Sequence, residues 1–328
     1  MPPDVPDEKP VVWALIDDRA GNGSQVRGVA DALGLTFDVK NLRYNALAKL
    51  PNAILGRGFA TVAQAERAGL TPPWPDLVIA AGRRTAPIAR AIKRANANKT
   101  FLCQIMNPGN AGRNDFDLIA VPAHDGLPPL ANEITVIGAP HGVSRDKLAL
   151  AAGDWRLAFA DLPRPLIAVI VGGSTRKRDF TPAMARDLGR TAAIMARKAG
   201  GALLITTSRR TGQKQTDALM AEITVPHHAF RWGDAGANPY FGYLALADAV
   251  IVTGDSVSMV SECCATPKPV YIFAPEALIG AKHGRLLTAL YDGGYARPLE
   301  GRLEIWPHPP LNAADTIASE IRKRMAQR

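Results

Sequence analysis

Short apolar runs alternate along this chain with stretches in which apolar positions recur every three or four residues. In the first half the runs fall at residues 11–16, 37–39, 77–80, 100–105, 118–121 and 134–136. Helical spacing fills several of the gaps, notably 24–33 and 85–95. Strand-length runs that are apolar throughout belong in a sheet covered on both faces, and their alternation with helices predicts a mainly parallel sheet. The rhythm lapses between 138 and 165, where a polar, helical stretch containing Trp155 ends in Pro163-Arg164-Pro165, a composition expected of an interdomain linker. It then resumes with runs at 166–171, 202–206, 228–231, 249–252 and 270–273, and helical spacing at 182–198, 216–223 and 240–247. The expected fold is α/β, with two Rossmann-like domains of mainly parallel sheets facing a cleft. Its parts are a disordered polar tail (1–10), an N-terminal domain (11–145), a linker (146–165), a C-terminal domain (166–312) and a basic amphipathic last helix (313–328).

Composition narrows the partners. At 328 residues, 47% hydrophobic and 21% charged, the chain is long enough for two cores. Cys103, Cys263 and Cys264 form no CxxC, and no His, Asp or Glu cluster has metal-ligand spacing, so no metal is expected and a reducing, cytoplasmic setting fits. Residues 1–10 lack the basic-then-apolar order of a signal peptide, and no apolar run approaches a membrane span. The net charge of +9 points to an anionic partner. Because the basic residues are scattered and partly at strand ends, phosphorylated small molecules are favoured over nucleic acid, and a peripheral contact with anionic membrane stays open.

Chemistry collects where the apolar runs stop. The run ending at Val252 gives way to Gly254 and Asp255 and then to helical spacing in which Ser258 and Glu262 stand one turn apart. At the carboxyl end of a parallel strand such a turn faces a ligand crevice, and the free N–H groups of a helix start suit an anion. An ordinary turn capped by Asp255 or Ser256 fits the same residues. Gly82-Arg83-Arg84-Thr85 in the first half is echoed by Ser208-Arg209-Arg210-Thr211 in the second, each just after a buried run. Arginine forks match phosphate oxygens, and the alternative is a solvated arginine pair. Each half also opens on a glycine-rich stretch expected to be a flexible, donor-rich loop: Asp17 to Gln25, holding Gly21 and Gly23, and Gly172-Gly173-Ser174-Thr175. Neither is a dinucleotide fingerprint, since Val26 stands where a third glycine is needed, and no GxxxxGK[ST] occurs. Gly254-Asp255-Ser256-Val257-Ser258 nearly matches the nucleophile elbow of serine hydrolases, with Ser258 in place of the last glycine. A hydrolase using Ser256 would need His283 or His308, neither with an obvious orienting acid.

Taken in order, Asp17-Asp18-Arg19-Ala20-Gly21-Asn22, Gly82-Arg83-Arg84-Thr85-Ala86-Pro87, Pro122-Ala123-His124-Asp125, Gly172-Gly173-Ser174 and the stretch from Thr253 to Glu262 resemble the bacterial and plant family of ELM-type mitochondrial fission proteins, which has GT-B glycosyltransferase architecture. The resemblance covers nearly the whole chain. Asp18 departs from it, standing where the family commonly has glycine. The resemblance implies that the second domain holds a nucleotide-diphosphate sugar as donor substrate, with no other essential cofactor, and that the last helix crosses back onto the first domain. Glu262 matches the glutamate that binds the ribose hydroxyls. Gly172, Gly173, Ser174, Ser208, Arg209, Arg210, Gly254, Asp255, Ser256 and Ser258 would surround the diphosphate, and Trp232 would flank the base. The acceptor is unknown, and its catalytic base is sought among Asp17, His124 and Asp125 at strand ends of the first domain. The alternative is a non-catalytic protein of the same fold that acts by binding, at a membrane surface through its basic face and last helix.

Overall fold

The computed structural model describes residues 9–126 and 130–328, so positions 1–8 of the expected tail lie outside the described residues. The chain divides into two units, Met1–Gly142 with Asn312–Arg328, and Val143–Leu311.

The first unit runs β1 (Val12–Asp17), α1 (Ala20–Leu33), β2 (Asp38–Leu42), the single turns α2 (Asn52–Leu55) and α3 (Gln64–Arg67), β3 (Leu77–Ala81), α4 (Ala86–Ala95), β4 (Phe101–Ile105), β5 (Leu118–Pro122) and β6 (Glu133–Val136). The six strands form one parallel sheet in the order β2-β1-β3-β4-β5-β6. Side chains alternate across it. Val12, Ala14, Leu77 and Ile79 face a core with Val26, Val29 and Leu33 of α1, while Trp13, Leu15, Val78 and Ala80 face Ile88 and Ile92 of α4.

The stretch expected to be a flexible loop after β1 is largely helix. Because α1 starts at Ala20, Gly21 and Gly23 lie in its first turn. Gly28, further along, sits where a Cβ would come within 2.5 Å of His141 O, so the helix seats directly on the backbone there.

The second unit runs α5 (Arg145–Trp155), β7 (Leu166–Val171), α6 (Pro182–Ala199), β8 (Ala202–Thr207), α7 (Gln213–Met220), β9 (His227–Phe230), α8 (Tyr240–Leu246), β10 (Ala249–Thr253), α9 (Val257–Cys264), β11 (Val270–Phe273), α10 (Ala281–Asp292) and β12 (Arg297–Pro298). Its parallel sheet has the order β12-β11-β10-β7-β8-β9. Within the stretch read as a linker, α5 packs on α8. The Trp155 ring stacks on Phe159 at 5.9 Å, and a Cβ on Gly242 would meet that ring at 2.6 Å.

The last helix, α11 (Ala313–Met325), belongs to the first unit. Ala314, Ile317, Ala318 and Ile321 bury themselves in the core beside α1, an arrangement worth about 1.5–3 kcal/mol for each isoleucine. Its cations serve inside the unit as well: Arg322 donates to Ala32 O and Leu33 O at the end of α1, and Arg324 to Asp117 O. The apolar face of this helix is therefore not available to a lipid surface. Among the described residues no helix is long and apolar enough to cross a membrane.

Lys268 locks α8 by donating to Leu244 O at 2.8 Å and Ala245 O at 2.6 Å. Burial, the leading influence, pushes its pKa down to about 8. Between about pH 8 and pH 10.5 the folded chain then carries fewer protons than the unfolded chain, so this group makes stability rise with pH by about 1.4 kcal/mol per unit. Urea unfolding across that window should show the rise in the wild type and its loss in Lys268→Met. Identical slopes in the two proteins would mean that the two carbonyls keep Lys268 charged.

Candidate functional site

All strands of the second sheet are parallel, so the turns after β7, β8, β9, β10 and β11 leave from one edge. Chain order runs outward in both directions from the β7/β10 pair, which makes that pair the switch point where an open α/β sheet leaves a crevice. Gly172 and Gly173 follow β7, and Gly254 and Asp255 follow β10.

The Asp255 carboxylate is fully buried. It accepts from Gly173 N–H at 3.0 Å and from Arg210 Nη1 at 2.7 Å. Arg210 Nη1 also donates to Gly173 O at 3.2 Å and Ser174 O at 3.3 Å. The two glycines are sterically required: a Cβ on Gly172 would lie 2.4 Å from Asp255 Oδ1, and one on Gly173 would lie 2.1 Å from Arg210 O. Ser174 donates its N–H to Arg210 O at 3.0 Å, and its Oγ accepts from Phe180 N–H at 3.0 Å. Ser208 Oγ donates to Gly172 O at 2.7 Å. Six of the residues expected around a diphosphate thus come together as a knot that fastens three turns to one another. Arg209 stands exposed beside it, with no side-chain partner among the described residues.

Ser256 caps α9, its Oγ accepting from Met259 N–H at 3.4 Å, which stabilises the helix start and engages one lone pair of the hydroxyl. Of the two histidines that follow it, His308 has its ring nitrogens against Pro309 O at 3.0 Å and Lys268 O at 2.7 Å. The first-turn N–H groups of α9 have no intrahelical acceptors and carry the positive end of the helix dipole. One turn past Ser258, Glu262 is half-buried and accepts from Tyr240 Oη at 2.5 Å. Burial raises the Glu262 carboxyl above the ordinary carboxylate range, and the Tyr240 bond offsets part of that. Tyr240 itself is pushed well above the ordinary phenol range by burial and by the Glu262 charge, so it stays a donor. Glu262 Oε1 has no partner among the described residues. Trp232, after β9, is 61% exposed, and its backbone N–H donates to Thr207 Oγ1 at 2.9 Å.

In the first unit the switch point lies between β1 and β3. Asp17, buried at the end of β1, accepts from Arg19 N–H at 3.0 Å, Asn22 Nδ2 at 3.0 Å and Arg84 Nη2 at 3.2 Å. Arg84 also pairs with Asp18 and lies 4.6 Å over the Tyr44 ring. Arg83 donates to Ala48 O at 2.9 Å and Leu50 O at 2.7 Å. The first arginine pair is therefore committed to protein carbonyls and carboxylates, unlike the free phosphate fork that the sequence echo suggested. His124 and Asp125 form a turn after β5. Because β3 and β4 intervene, they stand roughly 14 Å from Asp17 at the usual strand spacing, and the structure does not bring the three together. Among the described residues no group of three or more His, Cys, Asp or Glu is placed to hold a metal ion.

Tyr240 and Asn22 are the site residues that sequence reasoning did not single out. Tyr240 lies 22 residues from Glu262 in the chain, and nothing local marks the pairing.

Solved structures share this fold. UDP-GlcNAc 2-epimerase of Methanocaldococcus jannaschii, in complex with UDP-GlcNAc and UDP, superposes with a TM-score of 0.53 at 11% identity, covering 96% of this chain and 100% of that one. The Neisseria meningitidis enzyme of the same name, bound to UDP-GlcNAc, gives 0.51 at 12% identity, covering 97% and 100%. These likenesses, with the two six-stranded parallel sheets, establish a GT-B-like pair of Rossmann-like units. In sequence, the chain is 28% identical to the uncharacterized protein RP120 of Rickettsia prowazekii (strain Madrid E) over 349 residues, covering 95% of this chain and 97% of that protein. It is 31% identical over 284 residues to Mitochondrial fission protein ELM1 of Arabidopsis thaliana, covering 77% of this chain and 65% of that protein, so it spans about two thirds of that relative's length. The profile of the Mitochondrial fission ELM1 family matches residues 20–325, and the chain belongs to that family.

Proposed function

We propose that the second unit binds a nucleotide-diphosphate sugar and that the protein is a glycosyltransferase using it as donor. The observation that carries this reading is Glu262, a carboxylate with one oxygen held by Tyr240 and the other open, on the helix that begins at the switch point. A ribose diol has two hydroxyl protons to give, and an oriented carboxylate accepts them. Five residues of helix, about 7.5 Å, separate Glu262 from Val257 at the start of α9, a span a ribose bridges to its 5′ diphosphate. There the first-turn N–H groups that the Ser256 cap leaves free and Arg209 would meet the phosphates and stabilise the charge that develops on the departing diphosphate. The exposed Trp232 ring offers a face on which a base can stack. That similarly folded epimerases bind UDP-GlcNAc supports uridine donors as the first to try. Deprotonation of the acceptor is assigned to the first unit, with Asp17, His124 and Asp125 the groups to test.

Calorimetry with UDP-, dTDP-, GDP- and ADP-sugars tests the proposal. Saturable binding of at least one is expected, weakened roughly 10–100-fold in Glu262→Ala, since a hydrogen bond to a charged group contributes about 1.5–3 kcal/mol. Because burial raises the Glu262 carboxyl, affinity should already decline on acidification above the ordinary carboxylate range, as the protonated acid loses an acceptor. A panel without saturable binding, or Glu262→Ala binding as tightly as wild type, rejects the reading.

A further inference from the structure

The first unit carries a second charged recess, on the edge of its sheet opposite Asp17. The helix after a parallel strand runs back toward the amino edge, so the later residues of α4 lie there with the turn that enters β5. A recess of about 270 Å3 opens at this place, lined by Arg57, Arg90, Lys93, Arg328, Asn98, Asn114 and Asp115. Four cations thus surround it against Asp115 on its wall and Asp117 behind. Both Asp115 oxygens are already used, Oδ1 by Arg57 Nη2 at 3.0 Å and Oδ2 by Arg90 Nε at 2.6 Å. Asp117 is likewise taken, by Lys93 Nζ at 2.7 Å and Arg328 Nη2 at 3.0 Å. Counted over these side chains alone, two positive charges are left in excess. Arg57 Nε and Nη1, Arg90 Nη2 and the side-chain amides of Asn98 and Asn114 make no hydrogen bond among the described residues.

The arrangement is built rather than incidental. Arg90 is nearly buried, its Nη1 donates to Gly56 O at 2.9 Å, and it fits only because residue 112 is glycine, where a Cβ would stand 2.0 Å from the guanidinium carbon. Ala97 and Asn98, at the rim, both hold left-handed backbone angles, φ 48° and 65°. Neither is glycine, so local strain is accepted to turn the chain there.

We propose that this recess binds a dianionic phosphate group, as inorganic phosphate or as the phosphate of a monoester. The excess of positive side-chain charge suits a multiply charged anion, arginine and amide donors suit its oxygens, and the volume lies below the usual 300–1,000 Å3 of drug-sized sites. The site is separate from the donor site proposed in the second unit and does not depend on it.

The test is a titration of the whole protein with inorganic phosphate, followed by calorimetry and melting temperature, with sodium chloride at matched ionic strength as the comparison. Vesicles of phosphatidylcholine with and without phosphatidic acid form a second arm. Arg57→Ala and Arg328→Ala are suitable variants, since both side chains are 40% or more exposed and their loss should leave the fold intact. Saturable phosphate binding, absent with chloride and weakened tenfold or more in each variant, supports the site. Sedimentation with phosphatidic acid vesicles that Arg57→Ala abolishes also supports it and assigns the phosphate to a lipid headgroup, whereas a phosphate response without sedimentation assigns it to a soluble ligand. A phosphate response reproduced by chloride, or unchanged in both variants, overturns the proposal.

Discussion

Arg210→Ala is expected to destabilise the second unit by about 3–5 kcal/mol, and by more than Asp255→Ala does. The two side chains form one ion pair but are buried unequally: the Asp255 carboxylate has no exposed surface, whereas the Arg210 side chain is 36% exposed. Removing the arginine strands a carboxylate whose remaining donor among the described residues is Gly173 N–H, and whose Oδ1 has no partner among them even with the arginine in place. Removing the aspartate leaves a guanidinium that water can reach, so about 2–3 kcal/mol is the expected loss there. Arg210 also ties Gly173 O and Ser174 O, which adds to the asymmetry. Asp255→Asn keeps the acceptor for Gly173 and should be the mildest of the three. Thermal and urea unfolding of the three variants decide the matter. An Asp255→Ala protein less stable than Arg210→Ala would show that the carboxylate, protonated or hydrated, does not need its partner.

Strand and helix succession could be read from the sequence because buried parallel strands announce themselves. Residues 270–273 read as a strand and are one, and the final amphipathic stretch is α11. The helix start at Ala20 was not legible. Gly21-Asn22-Gly23-Ser24 has the composition of a turn, but Asn22 spends its side chain on Asp17, and Gly28 lets α1 seat against His141. A side-chain bond to the preceding strand and a contact far along the chain together outweighed local propensity. The arginine echo shows the other limit. Sequence displays a charge but not its partner, and Arg83 and Arg84 are committed to the backbone at Ala48 and Leu50 and to Asp17 and Asp18. Trp232 went the opposite way: a tryptophan is usually packed, yet this one is exposed at a strand end. For the site, the turn residues were visible as glycines and small polar groups after apolar runs. The Tyr240 to Glu262 pair was not, since it joins two helices that only the fold brings together.

Gly173→Ala should be as damaging as a core mutation although it adds one methyl group. The new Cβ would stand 2.1 Å from Arg210 O, 2.2 Å from Arg210 C and 2.5 Å from Thr211 N, all backbone atoms that cannot swing aside as a side-chain tip would. Relief by shifting the β8 turn is opposed by its own bonds: Ser174 N–H to Arg210 O at 3.0 Å, Arg210 Nη1 to Asp255 at 2.7 Å and Ser208 Oγ to Gly172 O at 2.7 Å. Overpacking a filled site costs about 1–3 kcal/mol when neighbours yield, and here the neighbours are the knot itself, so the upper end or beyond is expected. Gly21→Ala is the internal comparison. Its Cβ meets nothing within 4 Å and it lies in the first turn of α1, so the same chemical change should be neutral or stabilise by up to about 1 kcal/mol. Unfolded side by side in urea, Gly173→Ala should fall well below wild type while Gly21→Ala stays level with it or rises above it. A Gly173→Ala protein as stable as wild type would mean that the turn after β8 is free to move away from β7, and the crevice at the β7/β10 switch point would then be less rigid than its hydrogen bonds imply.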